Sequence, residues 1–503
     1  MPQTSLQQPF PVACEGGLIK DTSVLAMPPG SCKKLENFEP AVTGGYRRIN
    51  GFSKYDSNEL SGSGSVLGIQ ILGSSVIAAR GAHLEKSTGS GWTSIVTNRT
   101  DAERYDFTKY RWANTEKIAG ADGDNQAFIY DGSTYTLLSS TGAPSDPHTV
   151  EEFRNHLFFT GANSGNTSQI DFCAPYSEND FTPANGAGTI DVGDKVVGLK
   201  AFRDQLYIFC ENSIFRLAGT SIADFQLAPI SRNIGCINRF SIQEVAGDII
   251  FLAPDGIRTV AATEKIGDVE LATISKAVQS TLTAATSADI SSLVIREKTQ
   301  YRLFFPTSSA QDEIASPGLI GVLKRQAAAD LNWEWADIRG IKPYVCTSDF
   351  IGDTEYILHG GYDDGFVYRQ ESGNDFNGGK IPATYTSPDL TLGDPGIRKL
   401  LKRININYEA EGTMTFQLSA RFDYEDVDII QPAAISVSEV GLPLYGSNAY
   451  GSGFYGGFGT PILRQLMVGS GFAIAIKIAQ DTATNNPFII RGFELDVVPG
   501  GRR

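Results

Sequence analysis

Asp248-Ile249-Ile250-Phe251-Leu252-Ala253-Pro254-Asp255-Gly256-Ile257-Arg258-Thr259-Val260 holds two β-rich runs set back to back around a Pro-Asp-Gly turn. Asp-Gly between such runs is a strong local signal for a hairpin, because the tight turns that join twisted strands need positive φ. The theme recurs. Ala127-Phe128-Ile129-Tyr130 turns at Asp131-Gly132 into Thr134-Tyr135-Thr136-Leu137, and Tyr356-Ile357-Leu358-His359 turns near Asp363-Asp364-Gly365 into Phe366-Val367-Tyr368. Looser versions are Leu67–Leu72 with Val76–Ala79, Leu206–Cys210 with Ile214–Leu217, and Phe153–Thr160.

These units are spaced at roughly one four-stranded blade each. An isolated hairpin buries too little apolar surface to be stable, so the units must stack, and a closed ring protects their edges. The expected fold is all-β: an irregular β-propeller over residues 61–380, with a sandwich of the same hairpins as the competing arrangement. One segment departs from the pattern. Ile274, Val278 and Leu282 recur at helical spacing, which predicts a single short helix on the rim with Thr273 as its N-cap.

Outside the propeller, residues 1–60 are broken by Pro9, Pro11, Pro28, Pro29 and Pro40 and read as an extended segment packing on a platform domain. Gly and Pro residues between 373 and 396 mark a second boundary. Beyond it, Arg403–Tyr408, Met414–Ala420, Ala473–Ile478 and Phe493–Val497 alternate apolar and polar residues, so 381–503 reads as a β-sandwich platform.

Composition narrows the function. The 503 residues carry 42 Lys and Arg against 57 Asp and Glu, a net charge of −15, which argues against a nucleic-acid-gripping surface. Cys14, Cys32, Cys173, Cys210, Cys236 and Cys346 are scattered, with no CxxC pair, and read as buried free thiols made in a reducing cytoplasm. The N-terminus has no secretion-signal pattern, so the sequons at Asn98 and Asn166 carry no weight; no apolar run is long enough to span a membrane.

Equipment for chemistry is sparse. His83, His148, His156 and His359 show no metal-ligand spacing, and there is no GxSxG elbow or P-loop. Gly451-Ser452-Gly453-Phe454-Tyr455-Gly456 matches GxGxxG, yet no strand precedes it and no helix can follow it, so the nucleotide reading fails. Carboxylate groups such as Asp122 and Asp124, Asp363 and Asp364, and Glu425, Asp426 and Asp428 sit in turn contexts, where Asp accepts from backbone N–H groups; a bound calcium is the sharper alternative. The reading is therefore of a non-enzymatic protein with no catalytic residues, cofactor or metal. Residues 441–461 form a Gly- and aromatic-rich loop in which Tyr445, Tyr450, Phe454, Tyr455 and Phe458 offer apolar area for contact with a neighbouring subunit.

Leu35-Glu36-Asn37-Phe38-Glu39-Pro40 followed by Gly44–Phe52 resembles the N-terminal signature of tail hub, or tail nozzle, proteins of short-tailed bacteriophages (podoviruses). Val197–Phe209 with Ile214–Gly219, Trp333–Gly340 and Ile476–Val498 are similar to later parts of that family. The resemblance implies a structural virion protein of the tail, forming a hexameric ring below the portal and head–tail adaptor. Its outer surface would hold a tail fibre or spike, and its central channel would pass DNA during ejection without binding it specifically. An acidic lumen would suit that passage, since phosphates would meet no Lys or Arg clusters. The alternative is a β-propeller that binds or degrades host surface polysaccharide, although the repeated S-x-D-x-G-x-T-W box of sialidase-type propellers is absent.

Overall fold

Seven times along the chain an apolar strand meets a short turn and folds back, and in the computed structural model each repeat is one blade of a β-propeller. The structure describes residues 8–502 apart from 101, 162–165, 262–272, 284–288, 307–315, 326–330, 430, 440–461 and 483–484. The inner strands are Val66–Leu72, Asp106–Trp112, Thr149–Phe153, Val196–Phe202, Gln243–Val245, Ser291–Ile295 and Pro343–Ile351, starting 40, 43, 47, 47, 48 and 52 residues apart. Blades 1 to 4 are four-stranded antiparallel sheets built from consecutive strands; blade 5 shows three strands among the described residues.

The turn after most inner strands is a two-residue connection with left-handed backbone. Its residues are Ala113-Asn114 (φ 49° and 65°), Arg154-Asn155 (51° and 63°), Arg203-Asp204 (46° and 63°) and Ala246-Gly247 (52° and 79°). Positive φ at both positions matches the twist of the flanking strands, and Asn or Asp tolerates it better than most side chains.

Each pair of neighbouring blades shares an apolar cluster. Ile77 and Leu84 of blade 1 pack with Ile118 and Phe128 of blade 2; Ala119 and Ile129 of blade 2 pack with Leu157 and Phe159 of blade 3. Phe158 and Phe172 meet Leu206 and Ile208, Phe209 meets Phe251, and Val66 and Ile71 meet Val345 and Leu358 across the closure of the ring. Gly68 makes one approach possible: a Cβ there would lie 2.6 Å from Tyr105 Cβ and 2.8 Å from the Phe107 ring.

The N-terminal segment serves both domains. Gln8–Ala13, Phe38–Pro40 and Tyr46–Arg48 join one platform sheet, whereas Phe52–Lys54 pairs with Val367–Gln370 as the outermost strand of blade 7. The ring is thus closed by a strand from more than 300 residues away in the chain. Phe52 fastens it, stacked on Phe376 at 5.1 Å and edge-on to His359 and Tyr368.

The platform is a sandwich of two sheets. One runs Phe38–Pro40, Tyr46–Arg48, Phe488–Arg502, Ile397–Ala410, Ile462–Gly471. The other runs Lys34–Glu36, Ala383–Thr386, Ile474–Gln480, Met414–Phe422, Ile435–Glu439. Leu401, Ile404, Ile406 and Tyr408 of one face Phe416, Leu418, Ile476 and Ile478 of the other in a single core. The second sheet does not stop at the domain edge. Lys34–Glu36 also bridges Leu331–Arg339, with Glu36 beside Asp337, so blade 6 and the platform share one nine-stranded sheet.

The expected helix is shorter and differently capped than its spacing suggested. Lys276–Val278 is a 3-10 turn leading into a single α-turn, Gln279–Thr283. Thr273 does not cap it; its hydroxyl donates to Asp255 instead, and Ser275 holds the boundary position. Val278 and Leu282 are drawn into the large core shared with the platform. No helix among the described residues is long and apolar enough to cross a membrane.

Candidate functional site

Around the propeller axis the seven inner strands leave a cavity of about 430 Å³. Its charged lining comes in opposite pairs donated by different blades. Asp106 of blade 2 accepts the Val150 N–H of blade 3 at 3.2 Å, and burial pushes its carboxyl up to about 6 against the pull of Arg239. Glu151 of blade 3 accepts the Ala201 N–H at 2.9 Å and lies 3.5 Å from Lys200 of blade 4, whose ammonium it holds above the ordinary lysine value. Toward the other end of the strands, Lys109 pairs with Asp349, and Arg296 with Glu355 at 3.2 Å.

One mouth of the cavity is crossed by cations. Arg239 Nη2 donates to the Arg104 carbonyl at 2.7 Å, and both guanidinium groups lie over the Phe240 ring, at 4.6 and 3.6 Å. Arg104 also lies 5.0 Å from the Tyr344 ring. Burial lowers the Arg104 guanidinium to about 10, so it stays protonated at neutral pH. Among the described residues its Nε and Nη2, and Nε of Arg239, have no hydrogen-bond partner; the aromatic faces take the place of one.

This arrangement ties blades together at the axis, because each carboxylate is committed to a backbone N–H or a cation of another blade, and Lys109–Asp349 joins blades 2 and 7 past blade 1. The histidines lie elsewhere. His156 shares a hydrogen with the Cys173 carbonyl at 2.6 Å, and burial lowers His359 to about 3, leaving it neutral against Gln370 at 3.3 Å. Among the described residues no group of three or more His, Cys, Asp or Glu could hold a metal ion. The turn carboxylates are engaged locally: Asp122 accepts the Asn125 N–H at 2.8 Å and pairs with buried Arg99 at 2.6 Å, and Asp364 accepts the Phe366 N–H at 3.0 Å. All six cysteines are free, and burial pushes Cys14, Cys173, Cys210 and Cys346 up to about 12.

A second charged cluster sits where propeller and platform meet. Arg302 of blade 6 is buried against Glu371 at the end of blade 7 and against Glu39 of the N-terminal segment, the latter at 3.3 Å. Lys298 reaches both carboxylates at 2.7 Å, and Arg47 reaches Glu39 at 3.2 Å. Burial alone would raise the Glu39 and Glu371 carboxyls; the surrounding cations hold both below the ordinary carboxylate range.

The aromatic residues expected at a subunit contact, Tyr445, Tyr450, Phe454, Tyr455 and Phe458, lie outside the described residues. The strands flanking them, Ile435–Glu439 and Ile462–Gly471, are edge strands of the two platform sheets. Sequence reading missed the axial residues Arg104, Asp106, Glu151, Lys200 and Arg239. The signal available was a charge at or just before an inner strand that otherwise alternates, which is informative only once the blade register is known.

Fold and site together define a seven-bladed propeller carried on a β-sandwich. No protein-family model matches the chain, and no curated protein matches it. Among solved structures it is similar to the BBS1N chain of a BBS1N–ARL6DN complex soaked with lead, at 13% identity and a TM-score of 0.25, over 37% of this chain. The match spans 60% of that solved chain.

Proposed function

We propose that this protein is a structural subunit of a short-tailed phage tail, a hub or nozzle component that works as one member of a ring around the path of the ejected genome. The observation that carries the reading is the junction between the domains: one sheet passes from blade 6 into the platform through the Glu36–Asp337 pairing, clamped by the Glu39–Arg302–Glu371–Lys298 cluster. A sheet shared across the joint, with buried ion pairs beside it, resists relative movement of the two parts, as a wall segment of a ring requires. An enzyme that closes on substrate would instead favour a hinge.

The propeller's own cavity, at about 430 Å³, has the size of a small-molecule site. DNA would therefore pass on the ring axis between copies, not through the blades. In this reading the head–tail adaptor and a fibre or spike are the neighbours, the excess of acid keeps DNA from adhering, and the chain carries no catalytic role. The glycan-binding alternative would use that axial cavity, whose carboxylates are already committed to backbone N–H groups and cations of the protein itself.

Electron microscopy of purified virions labelled for this chain tests the proposal. A ring of label at the tail below the head is expected. Label confined to a peripheral appendage, or cleavage of host polysaccharide by the purified chain, would overturn it.

A further inference from the structure

The two edges of the first platform sheet are treated differently. On one side, Gln8–Ala13 carries Pro9 and Pro11, which lack the N–H needed to extend the sheet. On the other side, Ile462–Gly471 is ten residues long, contains no proline, and pairs among the described residues only with Ile397–Ala410. Leu463 and Met467 point into the core. The alternate residues Ile462, Leu466 and Val468 point outward, with Leu466 71% and Val468 68% exposed. An apolar edge of this length, unpaired on its outer side among the described residues, is a template for another strand.

Charge narrows the occupant. Arg464 on this strand and Lys402 and Arg403 on its neighbour pair with no carboxylate among the described residues, in a chain of net charge −15. At the 471 end of the same strand stands the turn Asp423–Asp428. Asp423 anchors it by accepting the N–H groups of Phe472 and Ala473, at 2.6 and 3.0 Å. The turn presents Tyr424, Asp426, Val427 and Asp428 outward, with Val427 95% exposed. Arg464 therefore marks the 462 end of the edge, whereas the 471 end carries the acidic turn beside Arg398, whose Nε already donates to Ser470 at 3.1 Å.

We propose that this edge docks a second copy of the chain, strand Ile462–Gly471 pairing antiparallel with its counterpart. Antiparallel pairing sets Arg464 of each copy toward the acidic turn of the other and buries Leu466 and Val468 between them. Such a contact is self-complementary and two-fold, so it joins copies in pairs, independently of the contacts between neighbours in a ring.

Size-exclusion chromatography of the full chain with light scattering, over a concentration series, tests this. The unaltered chain is expected to form reversible even-numbered species. The Leu466→Lys/Val468→Lys double variant and the Arg464→Glu variant should each associate at least about tenfold more weakly. Mixing Arg464→Glu with Asp426→Lys/Asp428→Lys should restore association that neither shows alone. Unchanged melting temperatures certify that the variants are folded; if the double variant unfolds, the charge exchange still decides. A monomer at every concentration, charge variants that associate like the unaltered chain, or an odd-membered ring that survives every substitution would overturn the proposal. The last of these would leave the ring reading standing.

Discussion

Replacing Arg302 by Met probes the joint between the domains. The guanidinium is almost fully buried; besides Glu39 and Glu371 it donates to Gln370 at 3.0 Å and to Gln300 at 2.6 Å. At an effective dielectric constant of about 20, a unit-charge pair at the Arg302–Glu39 spacing is worth roughly 5 kcal/mol before desolvation. Methionine keeps most of the volume but leaves Glu371 with Lys298 as its one remaining cation among the described residues, and Glu39 with Lys298 and Arg47. Breaking a buried pair in this way costs about 3–5 kcal/mol. The pH dependence carries the sharper test. In the unaltered protein both carboxyls are held below their ordinary value, so they contribute stability above the unfolded pKa that is lost as pH falls through the folded one. Without Arg302, burial dominates and the sign reverses, so the variant's deficit should shrink between pH 7 and pH 4. Urea unfolding across that range measures the deficit, and Arg302→Met/Glu371→Gln should recover a large part of it at pH 7. A deficit that is independent of pH and untouched by the second substitution would refute the argument.

His359 is neutral in the fold because burial lowers it to about 3, whereas it protonates near 6.5 when unfolded. Acidification from pH 6.5 to 3 should therefore remove stability, at up to about 1.4 kcal/mol per pH unit, and His359→Phe should flatten that slope in urea titrations. Phe52→Ala removes the ring packed on Phe376, His359 and Tyr368. It should cost about 3–5 kcal/mol and open the propeller at the closing strand, read as faster protease cleavage around residues 52–60. Ala113→Gly relieves a left-handed alanine at φ 49° and should raise stability by about 0.5–1 kcal/mol in thermal unfolding.

The proposed ring role and the two-fold edge place different demands on the platform. A wall segment needs its two domains fixed, which the shared sheet and buried clamp provide. An open apolar edge serves association. Both features lie on the platform side, while the propeller's charged interior is spent on holding blades to one another.

The all-β class was written in local chemistry. Asp131-Gly132 and Asp255-Gly256 mark hairpins because glycine makes positive φ inexpensive, and the alternation of Arg403–Tyr408 marks a strand with one wet face. Blade number was not legible, because most inner-strand turns use pairs such as Ala113-Asn114 and Arg154-Asn155, whose left-handed backbone is imposed by the twist of paired strands and not by glycine. Capping followed the same logic. Thr273 had the right chemistry for an N-cap, but its hydroxyl went to Asp255, a partner set by the fold. The closing strand Phe52–Lys54, the axial pairs Glu151–Lys200 and Lys109–Asp349, and the Arg302 clamp all join residues about 50 to more than 300 positions apart. A sequence specifies which residues seek burial or a counter-charge at short range. Which distant partner answers is fixed only when the whole ring closes, because burial and charge pairing depend on proximity in space and leave no periodic trace along the chain.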